Sequence, residues 1–123
     1  MVSSRRKGMN FEKEFEIILR GFGFVVERVK GGTKFNLQTD FFGLWDLLAF
    51  NNKGWLLIQC KVDYRKKVYE ELKGWYEKNL PPNTTCIYAV RKKNLPPHLR
   101  WQIIYINKGL RIPLKEKKVR LNE

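Results

Sequence analysis

The sequence predicts an α/β or α+β fold in which helices pack on a mixed sheet. Two stretches have apolar residues at helical spacing, and five short, mostly apolar runs have the length of strands. In chain order these elements give helix, three strands, helix and two strands. We expect one domain over residues 1–123, because this length fits a single core and leaves little room for a second.

The first helix is predicted from about Met9 to Gly21, where an apolar stripe ends at a Gly-Phe-Gly sequence. At about 100° per residue, Glu12 and Glu14 flank this stripe on opposite sides. Both are therefore placed to reach the edge of a packed surface. A strand over Phe24 to Val29 follows, and then a loop rich in Gly, Thr and Asn.

The next two runs, Leu44 to Asn51 and Gly54 to Val62, are separated by two residues, which predicts a tight antiparallel hairpin. Trp55 to Ile58 is apolar without alternation, as is typical of a central strand covered on both faces. A charged tail from about residue 114 is expected to fray or lie on the surface. The other predicted elements are a helix over Val68–Leu80 and strands over Thr84–Val90 and Trp101–Ile106.

Charge gives the first indication of function. Lys and Arg number 25 against 12 Asp and Glu, a formal net charge of +13 that would attract a polyanion. An anionic membrane is a weaker candidate than nucleic acid, because no segment pairs a basic face with a long apolar one. The alternative is a Lys-rich protein whose charge has no specific partner.

The expected compartment follows from the cysteines and the N-terminus. Cys60 and Cys86 both fall inside apolar runs, which favours small buried side chains in a reducing environment. The basic N-terminal residues precede no apolar region of the kind found in signal peptides. These features predict a cytoplasmic protein.

Two polar residues, Gln59 and Lys61, interrupt the most hydrophobic run and share one face of the predicted strand. Such residues are costly to bury without partners. Asp46 is the only acid in the preceding run, and the hairpin brings it near them. Glu12 or Glu14 could add a further carboxylate, and oxygen ligands of this kind suit Mg²⁺. The alternative is a structural Asp46–Lys61 ion pair.

Asp46, twelve intervening residues and then Gln59-Cys60-Lys61 resemble the Asp…(Glu/Gln)-x-Lys signature of the PD-(D/E)xK nuclease superfamily. The Gln-Cys-Lys form is similar to that of Mrr-type restriction endonucleases. The opening RRKGMNFEKEFEIILRGFGFVVERVKGG resembles archaeal Holliday junction resolvases, and the element order extends this resemblance over roughly residues 5 to 106. Two positions depart from the pattern: Trp45 replaces the usual Pro, and Gln59 replaces the acid of resolvases.

The resemblance implies a restriction-endonuclease-like fold and a structure-specific, metal-dependent DNA endonuclease of prokaryotic, archaeal or viral origin, active in recombination and repair. It implies that Lys7-Gly8 precedes the first helix and that Glu12, rather than Glu14, is a metal ligand with Asp46 and Gln59. Lys61 would position water or stabilise the transition state. The implied cofactor is Mg²⁺ or Mn²⁺, and the implied assembly is a homodimer on branched DNA.

Basic residues cluster around the predicted site, which favours phosphate contacts over a merely solvated surface. Recognition of DNA shape is favoured over sequence, because no element reads as a known base-reading motif. Asp40, close to the site in sequence, could act as a turn residue or contact metal or water. The candidate DNA-binding residues are Arg5, Arg6, Lys7, Lys30, Lys34, Arg65, Lys66 and Lys67.

Two other functions remain open from the sequence. Gln59 in place of an acid is compatible with a nuclease fold that grips DNA but has little or no activity. The small size is also compatible with a nuclease subunit of a larger repair or restriction complex.

Overall fold

The computed structural model describes residues 4–28 and 41–119, without the side chains of residues 4–10 and 97–98. In these parts of the chain no helix is long and apolar enough to cross a membrane. The elements in chain order are α1 (Ser4–Gly21), β1 (Val25–Arg28), β2 (Leu47–Asn51), β3 (Gly54–Lys61), α2 (Lys66–Asn79), β4 (Thr84–Arg91), α3 (Pro97–Arg100), β5 (Trp101–Tyr105) and β6 (Lys115–Glu116).

The six strands form one mixed sheet in which spatial order follows chain order from β1 to β6. The pairs β1–β2, β2–β3 and β4–β5 are antiparallel, whereas β3–β4 and β5–β6 are parallel. Parallel neighbours need a crossover connection, and α2 supplies it between β3 and β4. The predicted mixed sheet with flanking helices is confirmed.

The sheet lies between two hydrophobic clusters. Phe15 of α1 is fully buried in the first cluster, together with Ile58 and Cys60 of β3. Leu72 of α2 lies in the second cluster with Leu57. Since side chains alternate across a strand, odd-numbered residues of β3 point to the α2 side. The helices therefore cover opposite faces of the two central strands.

Two predicted boundaries are wrong near the site. Helix α1 begins at Ser4 rather than Met9, so Lys7-Gly8 lies inside it; one internal Gly costs a helix only about 1 kcal/mol. Strand β2 begins at Leu47 rather than Leu44. The residues before it form a tight turn, in which Phe42 and Gly43 have φ values of 55° and 73°.

The tail is expected to fray or lie on the surface, and the structure excludes fraying for Lys115–Glu116. These two residues form β6, a partly exposed edge strand that pairs with β5. The Lys117 N–H donates to the Ile103 carbonyl at 2.9 Å, and Ile112 is buried just before this strand. A two-residue strand is too short to show a periodic pattern, so the sequence carries no signal for it. The helix α3 was missed for the same reason.

Both cysteines are buried thiols, as predicted. Burial raises the pKa of Cys86 to about 12. At neutral pH this thiol is protonated and behaves as a small apolar side chain.

Candidate active site

The β2–β3 hairpin sets the position of Asp46. Leu47 pairs with Ile58, and the backbone N–H of Asp46 donates to the Ile58 carbonyl at 2.8 Å. Asp46 therefore immediately precedes Leu47, the first residue of β2, and lies beside the C-terminal end of β3. Its Oδ2 accepts a hydrogen bond from the Cys60 N–H at 2.9 Å. The carboxylate and Gln59 are both buried, with 9% and 8% of their surfaces exposed.

The terminal amide of Gln59 faces three oxygens. With its nitrogen turned toward them, it donates to Asp46 Oδ2 at 2.5 Å, to Asp46 Oδ1 at 3.2 Å and to the Leu44 carbonyl at 3.2 Å. In the opposite orientation the amide oxygen would meet acceptors alone. The predicted proximity of Asp46 and Gln59 is confirmed, and β3 holds the carboxylate through two neutral donors.

The charged groups around Cys60 show which side chains share this end of β3. Burial raises the pKa of the Cys60 thiol well above its ordinary value, and the negative charges of Asp46 and Glu12 raise it further. The ammonium of Lys61 acts in the opposite direction. Glu12 comes from α1 and Lys61 is the last residue of β3. Glu12, Asp46 and Lys61, together with Gln59, therefore lie around the same end of the central strand.

Glu14 has a different environment from Glu12. Its carboxylate accepts hydrogen bonds from Arg91 Nε, Arg100 Nη1 and Trp101 Nε1, each at 3.2 Å. Helical spacing leaves the two acids equivalent, whereas the structure engages Glu14 in a contact between α1 and the sheet. Arg91, which opens a basic run in the sequence, is held in this contact.

The predicted basic cluster at residues 65–67 lies beside Lys61. These Arg-Lys-Lys side chains are exposed and, with Lys61 and Phe11, line an open cleft of about 810 Å³. The start of α2 is attached to the sheet, because the hydroxyl of Tyr88 on β4 accepts a hydrogen bond from the Arg65 N–H at 3.0 Å. Four basic side chains, including Lys61, line this cleft against two acidic ones, Asp63 and Glu71, so its lining has a net positive charge.

Several predicted residues cannot be placed. The side chains of Arg5, Arg6 and Lys7 belong to α1 but lie outside the described residues, as do Lys30, Lys34 and Asp40.

The donor set is compatible with a hard divalent cation. Within residues 4–28 and 41–119, no three His, Cys, Asp or Glu side chains gather closely enough to hold a metal ion. The candidate site instead combines two carboxylates, Glu12 and Asp46, with the amide of Gln59. Mg²⁺ takes oxygen ligands, keeps several waters and needs few protein carboxylates. The residues present therefore fit such an ion.

A mixed sheet between helices, with an Asp beside one strand end and a Gln-x-Lys on its neighbour, is the arrangement of a PD-(D/E)xK-type nuclease. Residues 3–75 match the family model described as archaeal Holliday junction resolvase (Hjc). This match spans more than half of the chain, and the chain therefore belongs to the archaeal Holliday junction resolvase family.

The fold is similar to that of Archaeoglobus fulgidus Hjc, a Holliday junction resolvase from an archaeal hyperthermophile, whose structure is known at 1.6 Å resolution. The TM-score is 0.53 at 18% sequence identity, over 81% of this chain and 73% of that chain. A search of curated proteins finds no match.

These comparisons confirm the predicted resemblance to archaeal resolvases and the predicted fold class. They support a nuclease of the Holliday junction resolvase type.

Proposed function

We propose that this protein is a divalent-metal-dependent endonuclease that nicks four-way DNA junctions. The observation that carries the proposal is the placement of Asp46, Gln59 and Lys61 at one end of β3, with Glu12 alongside. Lys61 also lines the cleft together with the basic residues 65–67. A site for a cation thus adjoins a surface suited to DNA phosphates.

The roles of the residues follow from their positions. Asp46 would be the central metal ligand, and Glu12 and Gln59 would provide further oxygens. When bound, Mg²⁺ or Mn²⁺ would polarise a phosphoryl oxygen and lower the pKa of a coordinated water. Lys61 carries a positive charge at the mouth of the site, where it can orient that water or offset charge on the phosphate.

A junction is the proposed substrate, in keeping with the family to which the chain belongs. The net charge of +13 and the cleft beside Lys61 supply phosphate contacts, which give affinity without reading a sequence. We therefore propose recognition of the branched shape rather than of a base sequence.

A symmetric dimer suits a junction, which presents two equivalent strands. Trp101 is fully buried and belongs to the core. The sheet offers another surface: Val25 pairs with Phe50 in the register, and the Phe50 ring lies 4.8 Å from that of Trp55. These three side chains are 53%, 39% and 41% exposed. We propose this apolar patch as the dimer contact.

Light scattering across a concentration series tests the dimer. Trp55→Ser should shift the protein toward the monomer if the patch forms the contact. Ile17→Ser is the matched control, because Ile17 is 60% exposed on α1 and lies outside the patch. Equal masses for wild type and Trp55→Ser would place the contact elsewhere.

A second function is favoured by Gln59, whose neutral amide stands where resolvases carry an acid. A site with one negative charge fewer binds a cation less tightly. The protein would then be a junction-binding protein with weak or no nuclease activity. Binding assays do not separate the two functions, whereas strand cleavage does.

The decisive assay compares a four-way junction with linear duplex and single-stranded DNA, each with Mg²⁺, with Mn²⁺ and with chelator. A nuclease of the proposed kind nicks the junction only when metal is present and prefers it to the linear forms. Asp46→Asn serves as the control for contaminating nuclease. Tight junction binding without metal-dependent nicking would establish the second function.

A further inference from the structure

The amide of Gln59 has two incompatible requirements to meet. It is buried among the two carboxylate oxygens of Asp46 and the Leu44 carbonyl oxygen, at 2.5–3.2 Å. These neighbours are acceptors, so in the absence of a cation the NH₂ group has to face them. A divalent cation held by Asp46, in contrast, can be bound only through the amide oxygen.

We propose that Gln59 is a two-position metal ligand. Without metal, its NH₂ group occupies the place of the cation and donates to Asp46. When a divalent ion binds, the amide turns about its last side-chain bond and presents Oε1 to the ion. This inference rests on the proposed function, because it takes Asp46 and Gln59 as metal ligands.

The proposal follows from the difference between an amide and a carboxylate. A Glu at position 59 would carry two carboxylate oxygens and no N–H donor. Without metal, its negative charge would lie 2.5–3.2 Å from the carboxylate of Asp46. Gln59 removes that repulsion and satisfies the Asp46 carboxylate with N–H donors. The metal-free site is therefore stable, but a cation has to displace hydrogen bonds before it gains a ligand.

The loss of these hydrogen bonds should lower the affinity of the site for metal. Because hydrogen bonds to charged groups are lost on binding, we expect the wild type to bind Mg²⁺ about tenfold or more weakly than Gln59→Glu. The extra charge of Glu also contributes to this difference. Affinity alone therefore does not prove the rotation, and the amide has to be observed directly.

Nuclear magnetic resonance of the uniformly ¹⁵N-labelled wild type provides that observation. In chelator, the side-chain NH₂ pair of Gln59 should exchange slowly with solvent, because Asp46 and Leu44 accept its protons. Saturating Mg²⁺ should shift this pair and accelerate its exchange. Gln102 on β5 is an internal control whose side-chain resonances should not respond.

Two results would overturn the proposal. The NH₂ pair of Gln59 could stay unchanged while the Cys60 N–H, which is bonded to Asp46, shifts with Mg²⁺; the ion would then bind without Gln59. Alternatively, Mg²⁺ could shift neither group, and the site would bind no Mg²⁺.

A second measurement uses thermal unfolding with and without Mg²⁺. Gln59→Glu should melt below the wild type in chelator and gain more stability from Mg²⁺, because the ion relieves the repulsion that the substitution creates. Gln102→Glu adds the same charge on the same face of the sheet, away from Asp46, and should follow the wild type. Equal melting temperatures of Gln59→Glu and wild type in chelator would contradict the proposal.

Cleavage is measured separately, so the two proposals can fail independently. Rotation of the amide with Mg²⁺ in a protein that does not cut junctions supports the inference and overturns the nuclease function. Metal-dependent cutting with a Gln59 amide that does not respond to Mg²⁺ supports the nuclease function and overturns the inference about Gln59.

Discussion

Two carboxylates, Glu14 on α1 and Asp46 beside β3, have different environments. Glu14 meets two guanidinium groups and an indole N–H, so positive charge from the protein itself balances it. Asp46 is held through the Cys60 N–H and the Gln59 amide, which are neutral donors. Glu14 therefore joins α1 to the sheet, whereas Asp46, which accepts hydrogen bonds from the backbone and the amide of β3, is the proposed metal ligand.

Two groups of basic residues also differ in their environments. Arg91 and Arg100 are partly buried against Glu14, with about a quarter of each side chain exposed. Residues 65–67 are exposed at the cleft that Lys61 lines. The first group joins α1 to the sheet, and the second is the group that we propose to contact phosphate.

The largest effect is expected at Asp46. Asp46→Asn should lower junction cleavage by about a thousandfold, because it removes the charge that would hold the metal, worth several kcal/mol. It keeps an acceptor for the Cys60 N–H, so folding and junction binding should persist. Single-turnover cleavage and a binding titration measure both properties. Full activity in this variant would rule out the proposed site.

Substitutions of Glu12 and Glu14 compare a proposed metal ligand with a structural acid on the same helix. Glu12→Gln should lower metal-dependent cleavage by about tenfold or more, whereas Glu14→Gln should leave most of the activity, since an amide oxygen can still accept from Arg91 and Trp101. Cleavage rates over a Mg²⁺ series, with circular dichroism as the folding control, measure this. A reversal would exchange the assigned roles of the two acids.

The basic cleft should change the salt dependence of DNA binding. Replacing Arg65, Lys66 and Lys67 with Ala should flatten the slope of log affinity against log salt by roughly 0.9 for each lost phosphate contact. Lys73→Ala with Lys78→Ala is a control for loss of positive charge elsewhere on α2, because these exposed residues lie outside the cleft. Parallel slopes for wild type and the triple variant would remove this cluster from the DNA-binding surface.

The smallest effect concerns stability. Glu14→Ala should lower the free energy of unfolding by about 1–2 kcal/mol, since it leaves Arg91, Arg100 and the Trp101 N–H without their acceptor. Glu70→Ala is the control, because Glu70 is 62% exposed and its oxygen lies 4.0 Å from Lys66 Nζ. Chemical denaturation compares the two variants. Equal losses would show that the Glu14 contact is no stronger than an ordinary surface ion pair.

The sequence alone determined the parts of this protein that depend on neighbouring residues. The apolar stripe of α1 and the hairpin around Asn52-Lys53 follow from local periodicity and a two-residue turn. Because a hairpin fixes register locally, the placement of Asp46 beside Gln59 could also be predicted. The Asp…Gln-x-Lys spacing indicated the PD-(D/E)xK superfamily. The N-terminal segment and the element order indicated the resolvase family, which the family match confirms.

Tertiary structure decided what depends on residues distant in the chain. The partners of Glu14 lie 77, 86 and 87 positions later, and nothing in local spacing connects them. Strand β6 exists because β5 offers an edge to pair with, not because two residues carry a pattern. The orientation of the Gln59 amide depends on the acceptors that packing places around it. Periodicity reports which face of an element is buried, whereas hydrogen-bond partners are set by which faces meet.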